Sequence, residues 1–176
     1  MGKGQPLSEG LTMKKSKKII LFFSSILTML PLYTAAFITP YIIETRTLLF
    51  GEVIFIPGSC TMAHDTMVIT NITAQNICVD GIGSSGSYRI FANPNKQVQI
   101  KINSHINSGN GIVYVPSGIL ESDVESKNII PDINETIDSG ASGIINITLG
   151  GRLTINTILT PSSTNSELFN IDFTEL

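Results

Sequence analysis

The chain reads as an all-β protein, and three observations predict it. Apolar side chains recur at every second position in several separate runs, the signature of strands with one buried and one wet face. Turn-forming clusters punctuate those runs: Pro57-Gly58, Asp80-Gly81, Asn93-Pro94-Asn95, Ser108-Gly109-Asn110-Gly111 and Ser139-Gly140, residues that favour tight reversals. Beyond residue 36, no stretch of ten residues carries the 3.6-residue apolar period of a helix.

The elements follow in chain order. Lys14, Lys15, Lys17 and Lys18 precede an apolar run over residues 19–30 and a small-residue exit ending Thr34-Ala35-Ala36. This is the three-part pattern of a secretory signal peptide. Residues 1–36 are therefore expected to be a leader cut after Ala36, with Met13 the better start of the pattern than Met1. An uncleaved anchor is the rival reading. It needs about 20 apolar residues, and Ser24, Ser25, Thr28, Pro31 and Thr34 dilute this run. Residues 37–47 are extended, largely apolar and carry Pro40. They read either as the first strand of the domain or as a strand donated to another copy, with Ile38, Tyr41 and Ile43 as the inserted side chains.

Residues 48–176 form the expected single domain. Residues 48–56 are continuously apolar, as for a strand buried on both faces. Shorter β-type runs cover 67–72, 77–79, 88–92 and 112–115. Val98, Ile100 and Ile102 alternate with Gln97, Gln99, Lys101 and Asn103; Ile145, Ile147 and Leu149 alternate with polar residues, as do Leu153 and Ile155 after Gly150-Gly151. Phe169, Ile171 and Phe173 alternate at the C-terminus and are expected to line the core. Residues 122–137, the most polar region, read as a long loop with one helical turn. About eight or nine strands separated by turns predict an antiparallel β-sandwich. The chain lacks a repeat of 20–50 residues, which argues against a solenoid or propeller.

Charge and cysteine content narrow the function. Five of the 11 Lys and Arg precede residue 37, leaving six basic against 13 acidic side chains beyond it. An anionic surface without a basic cluster repels phosphate backbones, which excludes a nucleic-acid binder. Cys60 and Cys78 are the only cysteines. In an oxidising compartment such a pair is expected to form one disulfide; two reduced buried thiols are the alternative.

Catalytic patterns are thin. His64 and His105 are the only histidines and belong to no metal-ligand spacing, so both read as surface residues. No serine sits in GxSxG or SxxK. Gly81-Ile82-Gly83-Ser84-Ser85-Gly86 matches GxGxxG, but β-type residues follow it where a dinucleotide site needs a helix. Glu121, Asp123, Glu125, Asp132, Glu135 and Asp138 lack EF-hand spacing and read as a solvated loop. The sequons at Asn71, Asn134 and Asn146 read as composition. The expectation is a non-enzymatic protein with no catalytic residue, cofactor or metal.

Leu49-Phe50-Gly51, the stretch from Tyr88 to Asn95 followed by Val98-Gln99-Ile100, and Leu149-Gly150-Gly151-Arg152-Leu153 with the alternating C-terminus carry a recognisable order. In these the chain resembles a family of small secreted bacterial proteins of unknown function. More distantly it is similar to the archaic chaperone–usher pilins and spore-coat-U-like proteins. The resemblance implies an Ig-like, pilin-like sandwich, export to the periplasm or cell surface as part of a fimbrium, and donor-strand exchange. Its implied partners are further copies of the chain and a periplasmic chaperone. Two features depart from the pilin pattern: both cysteines follow Leu49-Phe50-Gly51, and the chain closes on Phe173-Thr174-Glu175-Leu176 without a terminal aromatic. A monomeric secreted adhesin or protein-binding module is the alternative function.

Overall fold

The longest alternating run becomes the organising strand of the molecule. In a computed structural model that describes residues 38–79, 81, 83–107, 111–158 and 169–176, eleven strands follow one another. They are β1 (Tyr41–Arg46), β2 (Gly58–Met62), β3 (Ile69–Asn71), β4 (Gly86–Phe91), β5 (Gln97–Asn103), β6 (His105–Asn107), β7 (Ile112–Glu121), β8 (Ser126–Asn128), β9 (Asn134–Asp138), β10 (Ile144–Ile155) and β11 (Asn170–Glu175). The leader and its cut after Ala36 lie outside the described residues, as do parts of the turns at 80–83 and 108–111. No helix occurs among the described residues.

β10 is paired on both edges. One edge runs from Asn146 to Ile155 against β7. The other is shared end to end, Ile144–Leu149 against β4 and Gly151–Ile155 against β2. Gly150 and Gly151 mark the change of partner. A Cβ at Gly150 would strike the Met62 carbonyl, and one at Gly151, where φ is 140°, would strike the Val115 carbonyl. Only glycine lets three strands close on that point. β1 extends the sheet beyond β4 and β3 beyond β2, while β6 and β8 pair with opposite ends of β7. Pro116 falls opposite the gap between β6 and β8, where the outer edge of β7 has no partner among the described residues. A second sheet, ordered β11-β5-β9, completes an all-antiparallel, sandwich-like architecture.

Alternation then decides the core. Val98, Ile100 and Ile102 of β5 and Ile137 of β9 meet Ile90, Leu120, Ile145, Ile147 and Leu149 of the large sheet in one apolar cluster. A second cluster surrounds Cys60 and Cys78 with Met62, Ile77, Tyr114, Leu153 and Ile155. Phe169 packs against both clusters and meets the rings of Tyr88 and Tyr114 at 5.7 Å between centroids. Burial drives the Tyr114 hydroxyl far above its ordinary pKa. It donates its proton to the Gly150 carbonyl, which satisfies it inside the core.

Four expectations need correction. Among the described residues the strands number eleven, because three-residue strands such as β3, β6 and β8 are too short to show a period. Residues 48–56 form no continuous strand: only isolated bridges, Leu49 to Ser84 and Val53 to Cys78, hold them. Leu48 and Phe50 are buried with Leu49 facing out between them, and after a bend at Gly51 with φ 69° Ile54 and Phe55 are exposed. The run at 77–79 contributes only the bridge at Cys78. The polar stretch 122–137 contains β8 and most of β9, with no helical turn. Phe169, just before β11, and Ile171 and Phe173 within it pack against the core as half-buried side chains, where β11 pairs with β5.

Candidate functional site

Acid–base or metal chemistry would need titratable groups gathered in one place, and the fold spreads them apart. Among the described residues no three His, Cys, Asp or Glu side chains lie close enough to hold a metal. His64 lies in the turn between β2 and β3 and His105 opens β6. The acidic residues serve as ties to the backbone of other segments. Asp123 accepts from the Ser142 N–H at 3.0 Å, Glu125 from the Asp138 N–H and Asp132 from the Ser104 N–H. An open depression of about 310 Å³ near Gly58 is lined by Ser59, Thr73, Gln75, Thr154 and Asn156 and carries no acid, base or thiol. β4 follows the glycine-rich segment directly, so no helix N-terminus stands there to meet a pyrophosphate.

The feature that stands out is the first strand. β1 pairs antiparallel with β4 in the register Tyr41 to Phe91, Ile42 to Ile90 and Ile43 to Arg89, with a bulge between Glu44 and Arg46. Its side chains alternate between the faces of the sheet, yet only Ile42 packs against the core. The three candidate inserts are open to solvent: Ile38 is 43% exposed, Tyr41 49% and Ile43 39%. Tyr41 lies flat against Phe91 with ring centroids 4.8 Å apart on the outer face. Glu44 shares the inner row with Tyr88, whose hydroxyl is pushed up to about 12 by burial first and by this carboxylate second.

Polar ties hold both ends of this segment. At the far end the Arg46 guanidinium donates to the Ser85 carbonyl at 2.8 Å and to its hydroxyl. At the near end the Asn93 carboxamide grips the backbone of Ile38. Its Oδ1 accepts the Ile38 N–H at 2.8 Å and its Nδ2 donates to the Ile38 carbonyl at 3.0 Å. Asn93 is only 6% exposed and is itself fixed. Its backbone N–H and Nδ2 donate to the Glu175 carboxylate near the end of β11, and its carbonyl accepts the Ser139 hydroxyl. Sequence reasoning placed Ile38, Tyr41 and Ile43 but missed Asn93, which read as a turn former, and Glu175, which read as a departure from a terminal motif.

The disulfide is present. Cys60 and Cys78 are joined across 18 positions with their Cα atoms 6.3 Å apart, both essentially buried. It ties β2 to the segment bridged by Val53. Comparison with family models, with curated proteins and with solved structures finds no match to this chain.

Proposed function

We propose that this protein is an exported, non-enzymatic structural subunit of the pilin-like kind, assembled at the cell surface by exchange of β1 between copies. The observation that carries this reading is the disproportion in β1. Six residues are ordered along a sheet edge, yet one side chain reaches the core and Ile38, Tyr41 and Ile43 face solvent. A strand held mainly by main-chain bonds and end ties transfers to another copy at little cost, because every bond it leaves is remade there. The Ig-like topology, the fimbrial location, the signal peptide and a periplasmic chaperone belong to the same proposal. The acidic surface supports it.

A second reading is a monomeric secreted adhesin or protein-binding module, favoured by the seating of β1 on its own β4. Electrophoresis of the purified mature chain without boiling separates the two. Strand exchange gives detergent-resistant ladders that vanish when residues 37–47 are removed. A single monomer band, unchanged by concentration, rejects exchange.

A further inference from the structure

We propose that Asn134 is the acceptor of an N-linked glycan, delivered from a lipid-diphosphate-linked oligosaccharide by an oligosaccharyl transferase outside the cytosol. This rests on the export part of the reading above and is independent of strand exchange.

Asn-x-Thr sequons occur at Asn71, Asn134 and Asn146, and the fold separates them. In N-glycosylation the carboxamide nitrogen bonds to the anomeric carbon of the first sugar. The bond from that carbon to the lipid diphosphate breaks, the diphosphate leaves, and Nδ2 gives up one proton; nothing is oxidised or reduced. The acceptor must therefore offer an uncommitted carboxamide nitrogen, a Thr hydroxyl two positions on, and backbone that an enzyme can reach. Asn71 lacks the first two. Its Nδ2 donates to the Cys78 carbonyl at 2.9 Å, while the Thr73 hydroxyl donates to the Gln75 carbonyl at 3.0 Å and accepts the Ser59 N–H at 3.1 Å. Asn146 lacks the third. It lies inside β10 with Arg89 of β4 on one side and Glu121 of β7 on the other, and its Oδ1 accepts from the Arg89 guanidinium at 3.0 Å.

Asn134 meets all three conditions. It opens β9, an edge strand paired with β5, just after a surface turn in which the Ile133 N–H reaches the Ile130 carbonyl at 3.3 Å and Asp132 has φ 63°. Its side chain is exposed, and its Nδ2 finds no acceptor among the described residues. Thr136 follows on the same face of the strand, as alternation requires. Glu125 and Lys127 hold β9 only beyond this point, at the Asp138 N–H and the Thr136 carbonyl. The local sequence marks the same residue. Asp132 stands two positions before Asn134, an acidic side chain where the bacterial class of these transferases reads one, whereas Ile69 and Ile144 hold that place in the other two sequons. In the small sheet β9 and β11 occupy opposite edges, so a glycan on β9 leaves the tie between Glu175 and Asn93 clear.

The test expresses the full chain in a bacterium that carries a periplasmic oligosaccharyl transferase with its lipid-linked glycan, and in the same strain without the transferase. A second version places a proven export leader ahead of Met1, so that the site is read apart from the native leader. Intact mass and peptide mapping of the exported protein locate the sugar. A single glycan on Asn134 is expected, and only when the transferase is present. Asn134→Gln and Thr136→Ala should each abolish it. Asp132→Asn, which keeps an oxygen for the Ser104 N–H, should lower its occupancy. Asn146→Gln should leave it unchanged.

An exported chain without sugar in the transferase strain overturns the acceptor while the export reading stands. A glycan on Asn71 or Asn146 with Asn134 bare overturns the selection by the fold. A glycan on Asn134 that appears only behind the added leader upholds the acceptor and overturns export by residues 1–36.

Discussion

Two regions of the molecule use the same polar device for opposite ends. Near the disulfide, the Asn71 carboxamide donates to the Cys78 carbonyl at 2.9 Å and accepts the Cys78 N–H at 3.1 Å. At the start of the domain, Asn93 does the same for Ile38. In each, a side chain stands in for a missing rung. The surroundings differ. Cys78 is 1% exposed, covalently tied to Cys60 and packed among Met62, Ile77 and Tyr114. Ile38 is 43% exposed, and the strand after it sinks one side chain. Hydrogen bonds fix geometry in both places, while apolar burial and covalency decide which is permanent. The disulfide region carries both kinds of tie, whereas β1 rests mainly on hydrogen bonds, as the proposed exchange requires.

The largest way to break this contrast is to remove the covalent tie. Replacing both cysteines by serine should cost roughly 3 kcal/mol in the chain-entropy view of a loop this long, read as the shift in urea unfolding. Asn71→Ala should come next, at about 1–3 kcal/mol, because it strands two buried backbone groups of Cys78; the same denaturation curve measures it. Ile42→Ala removes the single half-buried side chain of β1 and should cost only about 1 kcal/mol. Its main effect should be faster hydrogen exchange confined to β1.

The smallest effect is electrostatic. Hydrogen bonds from the Asn93 N–H and carboxamide, with Lys96 nearby, hold the Glu175 carboxyl below its ordinary 4.5. A carboxyl with a depressed folded pKa contributes its stability above the unfolded value and loses it as pH falls through the folded value. Acidification below the ordinary carboxyl value should therefore loosen Asn93 and speed exchange in β1 as the pH falls through the depressed folded value. Glu175→Gln should remove that pH dependence.

Much of the fold was legible where burial imposes a local rhythm. β5, both halves of β10 and β11 follow directly from Val98 to Ile102, Ile145 to Ile155 and Phe169 to Phe173. The errors arose where distant partners decide. Residues 48–56 look like a buried strand, yet Leu49 faces out between buried Leu48 and Phe50, and past the bend at Gly51 Ile54 and Phe55 lie exposed. Gly150-Gly151 reads as punctuation, but those glycines lie inside β10 because carbonyls of Met62 and Val115 crowd them. The carboxylates of residues 121–138 looked like loop composition because their partners, Ser104 and Ser142, lie well outside the local window. The site was half legible. Ile38, Tyr41 and Ile43 announce an apolar extended segment, whereas Asn93 meets partners 55 and 82 residues away and carries no local signal.

Residue-resolved hydrogen exchange of residues 37–176 tests the separate release of β1 most directly. Amides of Tyr41–Arg46 that face β4 should exchange through a local opening, at least tenfold faster than those of β2 and β10, which should open only with the whole domain. Equal protection across all three strands, lost together on global unfolding, would contradict it.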